Sequence, residues 1–241
     1  PGSLNWDQWL GVCATRPFIG GGYYHPGNWR KRLDFGTGTF GDMGCHIFDP
    51  VFKAMDLTAP LTALSKGPAP SATNWANDAE VHFTFPETKF SVGPTFPIVW
   101  YDGDKRPPKE VTGPYLGGKG LPDQGSLFIG EKGAMVLPHV AQPILLPEKQ
   151  YEGFERPKIA GDNHWHQFVN AVMGNGTTLA HFGYAGPLTE SVLLGGVATH
   201  FPEQKLEWDA ANLKFKNQPD AARLIRRTYR KGWEVPGLSD V

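Results

Sequence analysis

The sequence predicts an α+β domain: one large, open, mainly antiparallel β-sheet with helices packed on one face. Three observations lead there. Short apolar runs separated by Gly, Pro and Asp turns are gathered within residues 60–146. Segments with helical spacing flank that block on both sides. Strands grouped together with helices at both ends mark an antiparallel sheet rather than alternating βα units. Composition agrees. A chain of 241 residues is long enough to bury roughly 70% of its unfolded surface. Its 30 Gly and 22 Pro make about 22% of the residues, against roughly 12% ordinarily. Beside 12% aromatics, that excess indicates short elements and many ordered turns, since disordered chains lack aromatic and branched side chains.

Taken in order, residues 1–40 hold Trp6, Trp9, Tyr23, Tyr24 and Trp29 among many Gly and Pro, with little periodicity. They read as an ordered aromatic, Gly-rich arm leading into an α+β domain over 41–241; long loops of this kind tend to be functional. A helix is expected from Gly41 to Met55, where Met43, Ile47, Phe48, Val51, Phe52 and Met55 recur at helical spacing. Pro50 should kink it or open a second short helix with Asp49 as N-cap. Strands are expected at Leu61–Ser65, Ala79–Phe85, Ile98–Tyr101, Ser126–Ile129, Ala134–Pro138 and Ile144–Leu146. The run Glu80-Val81-His82-Phe83-Thr84-Phe85 alternates with period two, as a half-buried antiparallel strand does. Gly130-Glu131-Lys132-Gly133 reads as a hairpin turn, and 103–124 as a long surface loop.

Helices return at His164–Met173, stopped by Gly174-Asn175-Gly176, and at Leu188–His200, opened by Pro187, Thr189 and Glu190. A strand at Lys205–Trp208 and a basic helix at Asp220–Arg230 close the chain. In that last helix Arg223, Arg226, Arg227, Arg230 and Lys231 form a solvated face.

Several function classes drop out. A net charge of −1 leaves no electrostatic footprint for nucleic acid. No apolar run approaches the 18 residues of a membrane span. Cys13 and Cys45 are too few for a disulfide scaffold and lack zinc spacing. His164 and His166, two apart on a helix, diverge by about 200° and do not share an ion, so no metal is expected. Asn175-Gly176-Thr177 has the form of a glycosylation sequon but coincides with the helix-stop turn that explains it. No signal peptide is recognisable, and the opening Pro1 reads as the start of a piece of something longer.

Two constellations carry chemistry. Gly36-Thr37-Gly38-Thr39-Phe40-Gly41 fits G-x-G-x-x-G, with Asp56 about 20 residues on, but the apolar strand that must precede a dinucleotide turn is missing. The alternative is a Gly-rich loop entering a helix, which can still lend backbone N–H groups to a ligand. The second constellation is Asp42, His46, Asp49 and Lys53. Steps of four, three and four put them on one helix stripe, and a carboxylate one turn before a His can orient it for acid–base work. The alternative is an ordinary solvated helix face.

The segment Phe35-Gly36-Thr37-Gly38-Thr39-Phe40-Gly41-Asp42-Met43-Gly44-Cys45-His46-Ile47-Phe48-Asp49 resembles the carboxyl-terminal domain of the Gfo/Idh/MocA oxidoreductases, with Asp42 and His46 matching that family's D-x-x-x-H pair. Further landmarks resemble a bacterial subgroup: Trp6-Asp7-Gln8-Trp9-Leu10-Gly11, Tyr24-His25-Pro26-Gly27-Asn28-Trp29-Arg30, Tyr184-Ala185-Gly186-Pro187-Leu188-Thr189-Glu190 and Tyr229-Arg230-Lys231-Gly232-Trp233-Glu234. Together they span nearly the whole chain. The resemblance implies a sheet domain like the carboxyl-terminal domain of glyceraldehyde-3-phosphate dehydrogenase, which binds a sugar or polyol and forms a homo-oligomer through its sheet. It implies NAD or NADP, held mainly by an amino-terminal Rossmann domain that usually supplies a catalytic Lys. This chain shows no such half and no Glu-Lys-Pro, so alone it is expected to be inactive. By the same resemblance His46 exchanges a proton with the substrate hydroxyl during hydride transfer, and Asp42 binds a hydroxyl or orients His46. Tyr24, His25, Trp29, Arg30 and Asp49 are candidate substrate contacts, and Gly38 and Gly41 candidate contacts facing the nicotinamide.

Two other outcomes fit the same residues. One is a glycoside hydrolase or lyase that oxidises its substrate transiently with bound NAD. The other is a non-catalytic carbohydrate-binding module. The compartment stays open between bacterial cytoplasm and periplasm. Tyr184 and Glu190 receive no physical role at this level beyond helix capping.

Overall fold

The structure, a computed structural model, describes residues 2–238. The arm is less irregular than its composition implies, with two short helices, α1 (Trp6–Leu10) and α2 (Pro26–Trp29). Asn5 caps the first, accepting from the Gln8 N–H, and Pro26 opens the second. The expected Gly41–Met55 helix starts earlier and breaks where Pro50 demands: α3 (Gly38–Ile47), then α4 (Asp49–Ala54). Phe48, not Asp49, stands at the α4 cap position, and Asp49 lies in the first turn, where a carboxylate suits the helix dipole.

Next come β1 (Thr62–Ser65), β2 (Glu80–Pro86) and β3 (Thr95–Tyr101). The expected 103–124 loop contains α5 (Lys109–Leu116), hidden in the sequence by Gly113 and Pro114 and ended by Gly117 in the left-handed region (φ 55°). Strands β4 (Gly125–Gly130), β5 (Gly133–Pro138) and β6 (Ile144–Leu146) follow, then α6 (His164–Val172) and α7 (Phe182–Ala198). Helix α7 starts six residues before the expected Leu188, with Pro187 inside it. The carbonyl four residues back, on Gly183, loses its intrahelical donor, in a first turn that is open to solvent. The chain closes with β7 (Lys205–Asp209), β8 (Lys214–Phe215) and a single turn, α8 (Ala222–Ile225). The expected helix to Arg230 is cut short, because Arg226 is extended (φ −121°, ψ 147°) and the arginines beyond it make tertiary bonds.

The strands form two antiparallel sheets rather than one: a five-stranded sheet ordered β3-β2-β1-β7-β8, and a separate β4-β5-β6 sheet. The architecture is α+β, with helices on one face of the larger sheet. Alternation on β2 buries Val81, Phe83 and Phe85 against the helices and leaves Glu80, His82 and Thr84 half-buried on the other face. Inward neighbours Ala63, Trp100 and Leu206 complete the layer.

Onto it α3 lays Phe40, whose ring stacks on Trp100 with centroids 4.2 Å apart. Phe40 fits because residue 195 on α7 is glycine: a Cβ there would overlap the Phe40 ring and touch Phe83. Gly44 likewise faces Val192, whose methyls lie 2.7 Å from where its Cβ would stand. Two helices thereby approach closely enough for one aromatic layer to serve both.

Gly195→Ala should destabilise the fold by about 1–3 kcal/mol through overpacking, read as a lower urea midpoint. A second expectation concerns acid. His200 packs edge-on to Trp75 with its Nε2 buried and unpartnered, and burial, then the Arg223 charge, lowers its pKa below the ordinary 6.5. The unfolded chain binds that proton more readily, so this contribution is complete above pH 6.5 and is lost as pH falls through the depressed folded value. Urea unfolding across that range should show stability falling with acid, and His200→Gln should reduce the slope; an unchanged slope contradicts the assignment.

Candidate functional site

Helix α3 turns its Phe40/Gly44 side to the core, and therefore presents Asp42 and His46 outward. Asp42 forms an ion pair with Arg30, which immediately follows α2. The pair ties together the two segments singled out separately in the sequence, Tyr24–Arg30 and Gly36–Asp49. It remains reachable, with the Arg30 and Asp42 side chains 47% and 38% exposed. The Arg30 carbonyl also accepts the Gly38 N–H at 3.0 Å. Asp42 is thus engaged by Arg30, where the sequence raised the orienting of His46 as one of its roles.

His46 is exposed, in the last turn of α3. Its ring lies beside that of His139, with centroids 5.3 Å apart. His139 follows β5 directly. The small sheet is fastened here because the Ser126 hydroxyl donates to the Ile47 carbonyl at 3.0 Å, serving one of the unpaired carbonyls at the end of α3. No sequence signal marks His139; the contact spans distant parts of the chain.

Asp49 lies farther along the stripe and accepts a hydrogen bond from the Tyr184 hydroxyl on α7. Burial, then this carboxylate, raises the Tyr184 pKa well above the usual phenol range. Lys53 sits 5.0 Å over the Tyr184 ring. Asp49 is therefore committed to joining α4 to α7, although it lines an open pocket of about 290 Å³ with Gly41, Cys45, Tyr184 and Leu188. Glu190 accepts from the Trp208 indole, which joins α7 to β7. These two bonds are the roles that sequence reasoning missed in the Tyr184–Glu190 block.

The Gly-rich loop is shaped by the chain itself. Gly38 is buried with φ 72°, and its missing Cβ makes room for Trp75; the missing Cβ of Gly36 makes room for the Arg30 backbone, and that of Gly41 for the Thr37 side chain. A turn and no strand precedes it. The Gly38 and Gly41 N–H groups are taken by the Arg30 and Thr37 carbonyls, so neither is turned toward a ligand phosphate.

In the arm, Trp6 and Trp9 stack with centroids 4.9 Å apart, and Tyr24 packs against Trp6, Trp9, Phe18 and Phe35. Tyr24 is the hub of this cluster, its hydroxyl buried and its pKa raised by burial. That places it in packing rather than open to a ligand. His25 caps α2, its Nδ1 accepting the Gly27 N–H at 3.2 Å, and Trp29 is half-buried at the helix end. Of the five candidate substrate contacts, Arg30 alone joins the Asp42 carboxylate directly.

Of the five expected solvated cations, Arg227 and Arg230 clamp the arm, while Arg223, Arg226 and Lys231 are exposed as expected. Arg227 donates to the carbonyls of Leu33 and Asp34 and reaches the Cys13 sulfur; Arg230 grips Asp7 and stacks on Trp233. Cys13 is buried and Cys45 exposed, both as free thiols. Among the described residues no three His, Cys, Asp or Glu side chains converge as metal ligands, and no helix is long and apolar enough to cross a membrane.

Replacing both Arg227 and Arg230 by Ala should loosen the arm without unfolding the sheet. Limited proteolysis within residues 1–36 should accelerate about tenfold or more, the loss expected of one or two hydrogen bonds to charged groups, while strand amides keep their exchange protection. No family model matches the chain, and no curated protein matches it as a relative.

Proposed function

We propose that residues 1–241 form the substrate-binding part of an oxidoreductase acting on sugar or polyol hydroxyls, with NAD or NADP carried by a nucleotide-binding domain outside them. The observation that carries this reading is the Arg30–Asp42 pair beside exposed His46. A guanidinium supplies only donors and a carboxylate only acceptors, so together they suit a ligand whose hydroxyls both give and take hydrogen bonds. An accessible imidazole one helical turn away can take the proton of such a hydroxyl and return it. The nicotinamide cofactor would supply hydride acceptance; the residues of this chain bind, orient and move the proton.

Helix α6 carries an uncovered apolar face. Trp165, Phe168, Val169 and Val172 occupy one stripe at i, i+3, i+4 and i+7, each at least 52% exposed, and Phe182 beyond them is 93% exposed. With Met173 and Leu179 the uncovered apolar area is on the order of several hundred Å², the scale of an interaction site rather than of scattered residues. The polar side of α6 carries no Lys or Arg, which disfavours an anionic lipid surface. The half-exposed outer face of the five-stranded sheet is the surface for a homo-oligomer, as the resemblance implies.

The test is nicotinamide turnover by the protein joined to its nucleotide-binding domain, across a sugar and polyol panel. His46→Ala should lower kcat by roughly 10²–10⁴-fold with the unfolding midpoint unchanged. A His46→Ala protein as active as its parent removes the proton-transfer role.

A further inference from the structure

We infer that His139 is a second imidazole of the same site, held by Gln124 so that its Nε2 accepts a hydrogen bond from a substrate hydroxyl. The inference rests on the reading above and adds a residue to it. Two observations fix His139 in place. At the mouth of the β4–β5 hairpin the ladder runs one pair beyond Gly125 and Pro138, with the His139 N–H donating to the Gln124 carbonyl at 3.0 Å. Side chains of the same pair meet, His139 Nδ1 lying 2.9 Å from Gln124 Oε1. An amide oxygen only accepts, so Nδ1 is the donor in this contact, and the tautomer that makes it leaves the lone pair on Nε2. The hairpin is in turn fastened to α3 by the Ser126–Ile47 bond, one residue past His46.

His139 is thus set beside His46 by a chain of hydrogen bonds, not by a mobile loop. Ring centroids 5.3 Å apart, inclined at 48° and both exposed, can address two neighbouring oxygens of one ligand. The ligand class this selects is a vicinal diol of a sugar or polyol. One imidazole exchanges the proton of the reacting hydroxyl, and the other accepts from its neighbour. Gln124 acts through His139 and is a positioning residue.

The experiment is ¹⁵N-resolved NMR of the imidazoles in the full chain, titrated with sorbitol and with D-glucose. Both His46 and His139 should shift on one saturation curve. His139→Gln should weaken binding about tenfold, the loss of one hydrogen bond to a ligand, with backbone signals elsewhere unmoved. Gln124→Leu should leave binding weaker by a smaller factor and change the His139 nitrogen pattern from Nδ1–H to a tautomer mixture. Shifts at His46 alone, or unchanged affinity in His139→Gln, overturn the assignment of His139 and leave the wider reading standing. No shift at either ring with either sugar overturns both.

Discussion

Phe40 occupies a slot that exists only because residue 195 is glycine. Its ring stacks on Trp100 of the sheet while α7 passes immediately behind, and Gly44 lets the same two helices close up again one turn later. Much else depends on this approach. With the Phe40 side of α3 locked inward, the stripe of Asp42 and His46 is forced outward. With α7 pressed against α3, Tyr184 reaches Asp49 and Glu190 reaches Trp208. Close packing, not the charges, orients the charged groups.

Around that rigid centre the chemistry is assembled by tethers from distant parts of the chain. Arg30 comes from the arm, His139 from the small sheet, and the arm is held by Arg227 and Arg230 from the other end. Exposed ion pairs are worth little individually. Here their consequence is positional: each fixes a segment whose own secondary structure is too short to place it. The Trp6, Trp9 and Tyr24 cluster does the same by burial, giving the arm a small core of its own.

Much of the fold was legible because its signals are local. The period-two alternation of Glu80–Phe85 and the Gly130–Gly133 turn needed no tertiary information, and both strands and hairpin formed where expected. What failed was decided at a distance. Helix α8 stops after its single turn at Ile225, where Arg226 becomes extended and Arg227 and Arg230 bond to the arm. Helix α7 runs through Pro187 because its later turns are buried, and α5 forms despite Gly113 and Pro114. In the site, the stripe of Asp42, His46, Asp49 and Lys53 was legible from spacing. Its partners were not: nothing local reveals that Arg30 takes Asp42, that Tyr184 takes Asp49, or that His139 comes beside His46. The Gly36–Gly41 pattern carried a misleading signal, since glycines that admit Trp75, Thr37 and backbone look in sequence like glycines that admit phosphate.

We propose that the Arg30, Asp42 and His46 cluster handles a hydroxyl whose carbon is oxidised by a nicotinamide cofactor. The most direct measurement follows the hydrogen on that carbon. A sugar or polyol deuterated there is turned over by the protein together with its nucleotide-binding domain, and the products are analysed by mass spectrometry. The account predicts deuterium in the reduced nicotinamide and a ketone or lactone product in equal amount. Cleavage of a glycoside with no accumulation of reduced nicotinamide, the deuterium returning to the sugar, would contradict it.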